Sequence, residues 1–374
     1  MLLHPARPWD LRPTDRDGPA PPDPARWPPL AVLVPARNEA AVLGRTLPAL
    51  LAQDLPGAWR VVLVDDRSAD GTAAAARRAA TDDPRVSVVE GAPLPDGWAG
   101  KVWALEQGRR RACGGPQPAP ELLLLTDADI LHAPGSLRTL VAEAQAGGLD
   151  LVSRMARLRC ASRAERLLIP AFVLFFLLLY PMRWANRPGS RVAAAAGGCV
   201  LVRREALERA GGLASIRGAV IDDLALARRI KRAGGRTRLA LSLGAVTSIR
   251  EYDGVGAVWR MVRRSAFTQL RRSWPLLAGV VAALAVMFLA PPACVAAGLA
   301  GAAAGAGGWE LPLAAGLVAW ATMAVVALPA TRAFDLAPGW ALALPLSGAL
   351  YAAMTVDSAL RGPRGGGWRD GSGG

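Results

Sequence analysis

Two aspartates separated by a single residue, Asp127 and Asp129, follow an apolar run at residues 121–126. In an extended segment alternate side chains point the same way, so both carboxylates can face one cation. Mg²⁺ and Mn²⁺ prefer oxygen ligands and are commonly held by one or two carboxylates that substrate phosphates complete. The pair therefore predicts a divalent metal site that binds a diphosphate.

Polar side chains also follow two earlier apolar runs. Arg37 and Glu39 come directly after the first run, and Asp65 and Asp66 close the second. The isolated Lys101, in the segment GWAGKVWA, is a compact charge suited to a phosphate leaving group. Helix caps and turns are the alternative explanation for each cluster taken alone.

A second acidic pair, Asp222 and Asp223, precedes a helical segment. One carboxylate of such a pair can take a proton from an attacking hydroxyl, and repulsion between the two raises one pKa, which suits a base. A helix N-cap followed by a first-turn acid is the alternative. The two histidines, His4 and His132, make a histidine mechanism or a zinc site improbable.

The elements that must position these groups follow from the hydrophobic pattern. Short apolar runs at 30–35, 61–66, 86–90 and 121–126 alternate with helical segments, which is typical of a parallel sheet covered on both faces. In such sheets ligands bind outside the carboxyl ends of the strands. We therefore predict that the three polar clusters after the strands converge on one crevice.

Composition indicates a membrane as a partner. Hydrophobic residues make up 52% of the 374 residues, the mean hydropathy is +0.25 and the formal net charge is +14. Basic and acidic residues balance after Pro275, so the positive excess lies before it. A basic segment joined to an apolar tail fits a domain on an anionic membrane surface. The aromatic-rich basic stretches of single-strand binders are missing, so nucleic acid is not an expected partner.

Three uncharged stretches, at 276–308, 311–330 and 336–356, are each long enough to span a bilayer. We therefore predict three membrane spans. Four spans are the alternative, because Pro291 and Pro292 could split the first stretch into a tight pair. Four would also return the arginines after the last span to the cytoplasm, in line with the positive-inside rule.

Two more segments suggest contact with lipid. The apolar run at 167–180 is too short to span and has arginines on both sides, which predicts an interfacial or re-entrant helix, with a buried core helix as the alternative. Residues 251–274 form a basic amphipathic segment whose arginines would lie at lipid headgroups. Charges and prolines interrupt residues 4–29, so we expect no signal peptide and a cytoplasmic start.

The ordered motifs over residues 30–274 resemble those of the inverting family 2 glycosyltransferases. They are P-x-x-N-E after the first run, D-D-x-S after the second, the D-x-D motif, and the acidic pair ahead of a helix. More narrowly, GWAGKVWAL, IDDLALARRIK, TQLRRS and GGGWRDG look like segments of the hopene-associated glycosyltransferases, which occur with hopanoid lipid pathways. The resemblance implies an α/β, Rossmann-like nucleotide-sugar domain of GT-A type, here followed by a C-terminal transmembrane helix bundle.

The resemblance also implies roles for single residues. Asp223 would be the catalytic base with Asp222 beside it, and Asp127 and Asp129 would hold the metal. Glu39 and Asp66 would hold the nucleoside. The nucleotide sugar as a whole would contact Pro35, Arg37, Glu39, Asp65, Asp66, Lys101 and Asp127.

The Q-x-x-R-W box of processive relatives occurs here only in altered form, from Gln269 to Trp274. The resemblance makes Gln269 and Arg272 candidate diphosphate contacts, and the altered box argues against processive polymer synthesis. Anchoring of the nearby arginines at lipid headgroups is the alternative.

These observations predict five segments: a flexible arm at 1–29, a catalytic domain at 30–250, an interfacial helix at 251–274, about three transmembrane helices at 275–360 and a tail at 361–374. We expect inverting transfer of a sugar from a nucleotide diphosphate, UDP first, to a lipid acceptor, with the catalytic domain on the cytoplasmic face of the inner membrane. A polyprenyl-phosphate acceptor is the nearest alternative. A transporter with a regulatory domain is the alternative from another class, although the spans lack the buried ionisable residues that mark transport paths.

Overall fold

The computed structural model describes residues 5–9, 23–114 and 118–361. They form two compact units. The α/β unit comprises residues 23–159 and 180–250, and the helical unit comprises residues 5–9, 160–179 and 251–361. Most of the predicted arm at 1–29 and nearly all of the predicted tail at 361–374 lie outside the described residues.

The strands of the described chain all lie in the α/β unit. They are β1 (Leu30–Ala36), β2 (Trp59–Asp65), β3 (Val86–Glu90), β4 (Leu122–Thr126), β5 (Ile130–His132), β6 (Leu151–Met155), β7 (Cys199–Arg203), β8 (Thr237–Leu241) and β9 (Val246–Ser248). Seven of them form a mixed sheet in the order β3-β2-β1-β4-β7-β6-β8, and β5 pairs with β9. The sequence predicted β1 to β4, their order along the chain and their parallel pairing.

Helices connect the strands and form the whole of the helical unit. In chain order they are α1 (Ala40–Leu51), α2 (Thr72–Ala80), α3 (Gly100–Cys113), α4 (Ser136–Ala146), α5 (Arg163–Leu179), α6 (Met182–Ala185), α7 (Arg204–Arg209), α8 (Asp222–Arg232), α9 (Gly254–Gln269), α10 (Trp274–Phe288), α11 (Ala290–Ala303), α12 (Glu310–Ala333) and α13 (Leu344–Leu360). In the described part of the chain, 3-10 helices lie at Leu213–Ile216 and Pro338–Ala343.

Both faces of the large sheet are buried, which explains why its strands are continuously apolar. Alternate residues of a strand point to opposite faces. Val32 packs in the cluster that α1 and α4 complete, whereas its neighbour Leu33 packs in the cluster that α3 and α8 complete. A strand with helices on both sides has no polar face, so its sequence is continuously apolar and does not alternate between apolar and polar residues.

The sheet is mixed and not wholly parallel as predicted, because β7 runs antiparallel to both β4 and β6. The chain leaves the sheet at the carboxyl end of β6 and re-enters it from the same edge, so β7 must run in the opposite direction. Thr126 at the end of β4 is therefore paired with Cys199 at the start of β7. This reversal places the residues just before β7 at the carboxyl edge of β4.

The two-stranded sheet brings the end of the α/β unit back to the D-x-D motif. Strand β5 starts at Ile130, directly after Asp129, and Ile130 is paired with Ser248 of β9. The amide of Ile249 donates to the carbonyl of Asp129 at 3.0 Å. Residues more than a hundred positions later in the chain thus flank Asp129.

The apolar run at 167–180 forms most of α5 and is largely buried within the helical unit. Leu168 and Leu174 pack with Val258, Met323 and other side chains of α9, α12 and α13. The structure therefore places this helix in the core of that unit, which is the alternative the sequence left open. Because its apolar side chains pack with the C-terminal helices, residues 160–179 interrupt the segment predicted as one catalytic domain at 30–250.

Two helices are long and apolar enough to cross a membrane, namely α12 and the stretch Pro338–Leu360 that contains α13. The first uncharged stretch is broken, because α10 and α11 are separated at Leu289 and bent by 42°. Pro291 and Pro292 lie in the first turn of α11, where proline favours a helix start. The described residues thus offer two spans, or three if the bent pair is one span.

Large apolar side chains are exposed on the helical unit, and the described α/β unit exposes none of them. The exposed set is Leu179, Val255, Trp274, Leu276, Val286, Met287, Leu289, Leu299, Leu311, Leu317, Val318, Val325, Leu342, Leu346 and Leu360. Extensive exposed apolar surface is typical of a site that contacts lipid or another protein.

Helix α5 begins with a reciprocal cap. The amide of Glu165 donates to Ser162 Oγ at 3.1 Å, and Glu165 Oε2 accepts from the amides of Ser162 and Ala161 at 2.8 Å each. The other carboxylate oxygen accepts from the amide of Tyr252 at 3.1 Å. This is a capping box, and its buried carboxylate also holds the chain just before α9.

Glu165→Gln is expected to destabilise the helical unit. Three backbone N–H groups donate to the two carboxylate oxygens of Glu165, and the amide of glutamine has only one acceptor oxygen. One buried donor is then left unpaired, which costs about 1–3 kcal/mol. Thermal unfolding in detergent should show a lower midpoint for Glu165→Gln. The control is Glu205→Gln, an exposed first-turn acid of α7, and equal midpoints for the two variants would contradict this account of the cap.

Candidate active site

The polar clusters predicted at the strand ends lie at one edge of the sheet. Strand β1 is paired in parallel with β2 and with β4, and Ala36 is opposite Asp65. The residues that follow these three strands therefore meet. Arg37 Nη1 lies 3.3 Å from Asp66 Oδ2 and links the first cluster to the second.

Asp66 is buried, at 3% exposure, in the part of the crevice formed by β1 and β2. Burial raises the pKa of its carboxyl group, and the Arg37 guanidinium opposes that shift. The glycine at position 91 fits closely here, because an added Cβ would lie 2.8 Å from the carbonyl oxygen of Asp65. A buried carboxylate can accept hydrogen bonds from a polar ligand group that reaches it.

Asp65 organises the loop that follows β2, and its predicted contact with the nucleotide sugar stays a prediction. It accepts hydrogen bonds from the amide and the hydroxyl of Ser68, and Ser68 Oγ in turn accepts from the amide of Asn38 at 2.9 Å. Asn38 Oδ1 accepts from the amide of Ala69 at 2.9 Å. The D-D-x-S and N-E motifs therefore lock the two loops together, and within this network Asp65 shapes the loop.

Lys101 lies in the first turn of α3 and joins the D-x-D motif to the acidic pair. Its Nζ is 2.7 Å from Asp127 Oδ1 and 3.6 Å from Asp222 Oδ2. Burial alone would lower the pKa of Lys101, but the negative charges of Asp127 and Asp222 outweigh burial and hold the pKa above its usual value. The ammonium group is therefore charged wherever the protein is folded near neutral pH.

The backbone of Gly197 closes this part of the crevice. A Cβ added there would lie 3.1 Å from Lys101 Nζ and 3.4 Å from Asp223 Oδ2. Because β7 is reversed, Gly197 and Gly198 lie at the end of β4, where the amide of Asp127 donates to the carbonyl of Gly198 at 3.4 Å. Glycine here lets the chain pass close to the charged cluster.

The acidic pair opens α8, with Asp222 and Asp223 as its first two residues. Burial, followed by the negative charge of Asp222, raises the pKa of Asp223 to about 7, and Lys101 opposes this shift. A carboxyl group with a pKa near neutral is half ionised at neutral pH. It can therefore accept and release a proton in that range.

Asp129 is held on another side by residues that the sequence did not identify. Its Oδ2 accepts from Ser248 Oγ at 2.7 Å and from Arg250 Nε at 3.2 Å. Arg250 also donates through Nη2 to Glu39. Burial raises the pKa of Glu39, and the charge of Arg250 opposes the increase. Arg250 thus connects the loop after β1 with the D-x-D motif.

Two carboxylates make an incomplete set of ligands for a metal. Within the described residues no group of three or more His, Cys, Asp or Glu side chains is arranged to hold an ion. Burial raises the pKa of Asp127, and the charge of Lys101 lowers it. The negative charge of Asp129 also raises this pKa, because the two carboxylates repel each other. A bound cation would relieve that repulsion. Asp127 and Asp129 therefore fit Mg²⁺ or Mn²⁺ if substrate phosphates supply the remaining ligands.

His132 belongs to a buried network beneath the D-x-D motif. Thr126 Oγ1 donates to the carbonyl of Gly198 at 2.8 Å, so it must accept from His132 Nε2, which is 2.9 Å away. Ser136 Oγ lies 3.3 Å from His132 Nδ1 and 3.2 Å from Gln53 Oε1. Burial lowers the pKa of His132 to about 4, so the ring is neutral at physiological pH and supports the end of β4 as a hydrogen-bonding group.

The remaining predicted residues divide between the two units. Pro35 lines a small cavity together with Lys101, Asp127, Gly197, Asp222 and Asp223. Gln269 is the last residue of α9 in the helical unit, and Arg272 comes three residues later with a positive φ of 55° where the chain turns toward α10. Their predicted diphosphate contacts stay a prediction.

Comparison with known proteins relates this arrangement to one enzyme family. Residues 28–273 match the family described as glycosyltransferase like family 2. An N-acetylglucosaminyltransferase of Mesorhizobium japonicum is 30% identical over 203 residues, 54% of this chain and 44% of its own length. Another of that name from Neorhizobium galegae is 29% identical over 188 residues, 50% of this chain and 41% of its own length. The chain thus spans less than half the length of these relatives.

Among solved structures, a mannosyltransferase from Pyrobaculum calidifontis in complex with GDP-Man and Mn²⁺ superposes with a TM-score of 0.56 at 24% identity. The match covers 95% of this chain and 92% of the other, and it shows a shared fold. The α/β unit is therefore a mixed α/β, GT-A-like fold, as the resemblance implied. Since the family match covers well over half of the chain, this protein belongs to the glycosyltransferase like family 2.

Proposed function

We propose that this chain transfers a sugar from a nucleoside diphosphate sugar to a lipid, with inversion at the anomeric carbon. The observation that carries the proposal is the cluster around Lys101, which lies 2.7 Å from Asp127 and 3.6 Å from Asp222. A motif suited to a diphosphate and a carboxylate suited to a base thus share one crevice. Displacement at a sugar carbon needs the base on one side of the reacting atom and the group that binds the leaving diphosphate on the other side.

In the proposed step the acceptor oxygen attacks the anomeric carbon while the bond from that carbon to the diphosphate oxygen breaks. The hydroxyl proton passes to Asp223, whose pKa of about 7 suits a general base. Lys101 faces the negative charge that develops on the departing diphosphate, and Asp66 binds the nucleoside. Asp222 keeps the pKa of Asp223 raised through its neighbouring charge.

A divalent ion, Mg²⁺ or Mn²⁺, would be held by Asp127 and Asp129. When bound, such an ion neutralises charge on the diphosphate and makes it a better leaving group. The donor set supports this assignment, because two neighbouring carboxylates that repel each other suit a hard cation that retains phosphate ligands. Asp129 is kept in position for this task by Ser248.

The donor is proposed to be a UDP sugar. Support comes from the two rhizobial relatives, whose names give N-acetylglucosamine as the group transferred. The superposable archaeal enzyme was solved with GDP-Man, so guanosine is the base to test against uridine. The acceptor is proposed to be a membrane lipid, with a hopanoid-type alcohol first and a polyprenyl phosphate second.

The membrane assignment rests on the helical unit. Its exposed leucines, valines and tryptophan form an apolar surface that water does not favour, and α12 and α13 have the length and hydropathy of spans. A soluble acceptor would not require such an anchor. We place the α/β unit on the cytoplasmic side of the inner membrane, where its basic surface would meet anionic headgroups.

The first prediction tests donor and metal together. Protein purified in detergent should transfer labelled sugar from UDP-GlcNAc to extracted lipid in the presence of Mn²⁺, and excess EDTA should stop the reaction reversibly. Asp129→Asn should lower the rate at least about 100-fold in a protein that still unfolds cooperatively on heating, because the amide supplies no charge for the ion. Mild acid treatment of the product distinguishes the two acceptors, because it cleaves a sugar linked to a polyprenyl phosphate and leaves an alcohol glycoside intact. Transfer only from GDP-Man would overturn the uridine donor, and activity within tenfold of wild type in Asp129→Asn would remove the metal role.

The second prediction separates base catalysis from nucleotide binding. Asp223→Asn should leave UDP affinity near wild type by calorimetry while kcat falls by about 10² to 10⁴, the usual loss for a general base. Asp66→Asn should weaken UDP binding by about 1–3 kcal/mol, as for a buried hydrogen-bonding group left unpaired. For wild type, kcat/KM should rise with pH through about 7, since the base must be ionised. If Asp223→Asn lost UDP binding and kept its turnover, the base would lie elsewhere.

The third prediction decides how the bent pair α10 and α11 crosses the membrane. Gly307 and Gly339 are exposed, have open space around an added Cβ and lie on either side of α12. With three spans, a cysteine at Gly307→Cys should react with a membrane-impermeant maleimide in intact cells. A cysteine at Gly339→Cys should react only after lysis. The reverse pattern would exclude three spans, because α10 and α11 would then begin and end on the same side of the membrane, as a re-entrant pair or as two separate crossings.

A further inference from the structure

The chain segment after β9 surrounds the second aspartate of the D-x-D motif. Ser248 Oγ donates to Asp129 Oδ2 at 2.7 Å, the amide of Ile249 donates to the Asp129 carbonyl at 3.0 Å, and Arg250 Nε donates to the same Oδ2 at 3.2 Å. Asp129 is thus fixed through its backbone and its side chain. Of these partners only Arg250 carries a charge.

Arg250 reaches a second carboxylate that comes from a different part of the sequence. Its Nη2 donates to Oε1 of Glu39, the residue that precedes α1. The Glu39 and Asp129 side chains are 12% and 9% exposed, whereas Arg250 is 45% exposed. Two poorly solvated carboxylates therefore share one guanidinium that retains access to solvent. The planar guanidinium, with its fork of donors, suits such a bridge better than an ammonium group would.

We propose that Arg250 is the internal counter-ion of the donor site, which holds Glu39 and Asp129 together and competes with the divalent cation for the Asp129 carboxylate. This inference rests on the proposed function, because it assumes that Asp129 is a metal ligand. Arg250 is a positioning residue in this scheme and touches no reacting atom. Its task is to set how tightly the site binds the ion.

The argument is one of charge. The Arg250 guanidinium lies 3.2 Å from Asp129 Oδ2 and repels an incoming dication. Its hydrogen bond also uses a lone pair of the oxygen that would otherwise bind the ion. Lys101 has the same relation to Asp127, but it lies at the other end of the motif beside the acidic pair. The exposed side of Arg250 lets it swing toward solvent when the ion and the diphosphate arrive. Arg250 would then release the Asp129 carboxylate to the ion.

The test is Arg250→Gln, which keeps hydrogen-bonding capacity and removes the charge. Mn²⁺ titrated by calorimetry into the full-length protein with saturating UDP should bind on the order of tenfold more tightly to Arg250→Gln than to wild type. The Mn²⁺ concentration for half-maximal activity should fall by a similar factor. Arg209→Gln is the matched control, because it removes the charge of a 52% exposed arginine paired with Asp150 elsewhere in the same unit. Its Mn²⁺ affinity should equal that of wild type.

Equal or weaker Mn²⁺ binding by Arg250→Gln would overturn the inference. If that variant does not fold, Arg250→Lys takes its place. Lysine reaches one carboxylate at a time, so an affinity about threefold above wild type is expected, and unchanged affinity would overturn the inference. The proposed function fails separately: if neither wild type nor variant binds Mn²⁺ in the presence of UDP, the metal assignment itself is wrong. If both bind equally, only the role of Arg250 is lost.

Discussion

The ion pair between Lys101 and Asp127 is the interaction on which the rest of the site depends. The carboxylates of Glu39, Asp66, Asp127, Asp129, Asp222 and Asp223 lie around this crevice, and neighbouring like charges repel strongly when solvent is largely excluded. Lys101 balances two of them, at 2.7 and 3.6 Å. The close passage of Gly197 beside the ammonium group is possible because no side chain stands there. The first turn of α3 and the glycine before β7 thus meet at this charged cluster.

Much of this arrangement could be predicted from the sequence because it depends on local pattern and on one topological rule. Continuous apolar runs identify strands with two buried faces, and parallel strands bring the residues at their carboxyl ends to one edge of the sheet. Arg37, Asp66 and Asp127 could therefore be grouped without coordinates. The family resemblance then added what spacing cannot supply, namely that Asp222 and Asp223 belong to the same crevice although β7 and α8 come much later in the chain.

The parts that could not be predicted are those in which distant segments meet without a periodic signal. Strand β9 has three residues, too few for a pattern, yet its pairing with β5 brings Ser248 and Arg250 to Asp129. The reversal of β7 depends on where the chain re-enters the sheet, which no local motif records. The composition of α5 is compatible with an interfacial helix and with a buried one. Only its packing against α9, α12 and α13 shows that it is buried.

The pattern of ion pairs explains why Asp223, among these carboxylates, suits the part of a base. Asp127 and Asp222 share Lys101, while Asp129 and Glu39 share Arg250. Within the described residues Asp223 forms no such ion pair, and burial together with the negative charge of Asp222 raises its pKa to about 7 although Lys101 opposes the shift. Asp223 therefore suits the proposed role of base, while the proposed metal ligands Asp127 and Asp129 each lie beside one positive charge.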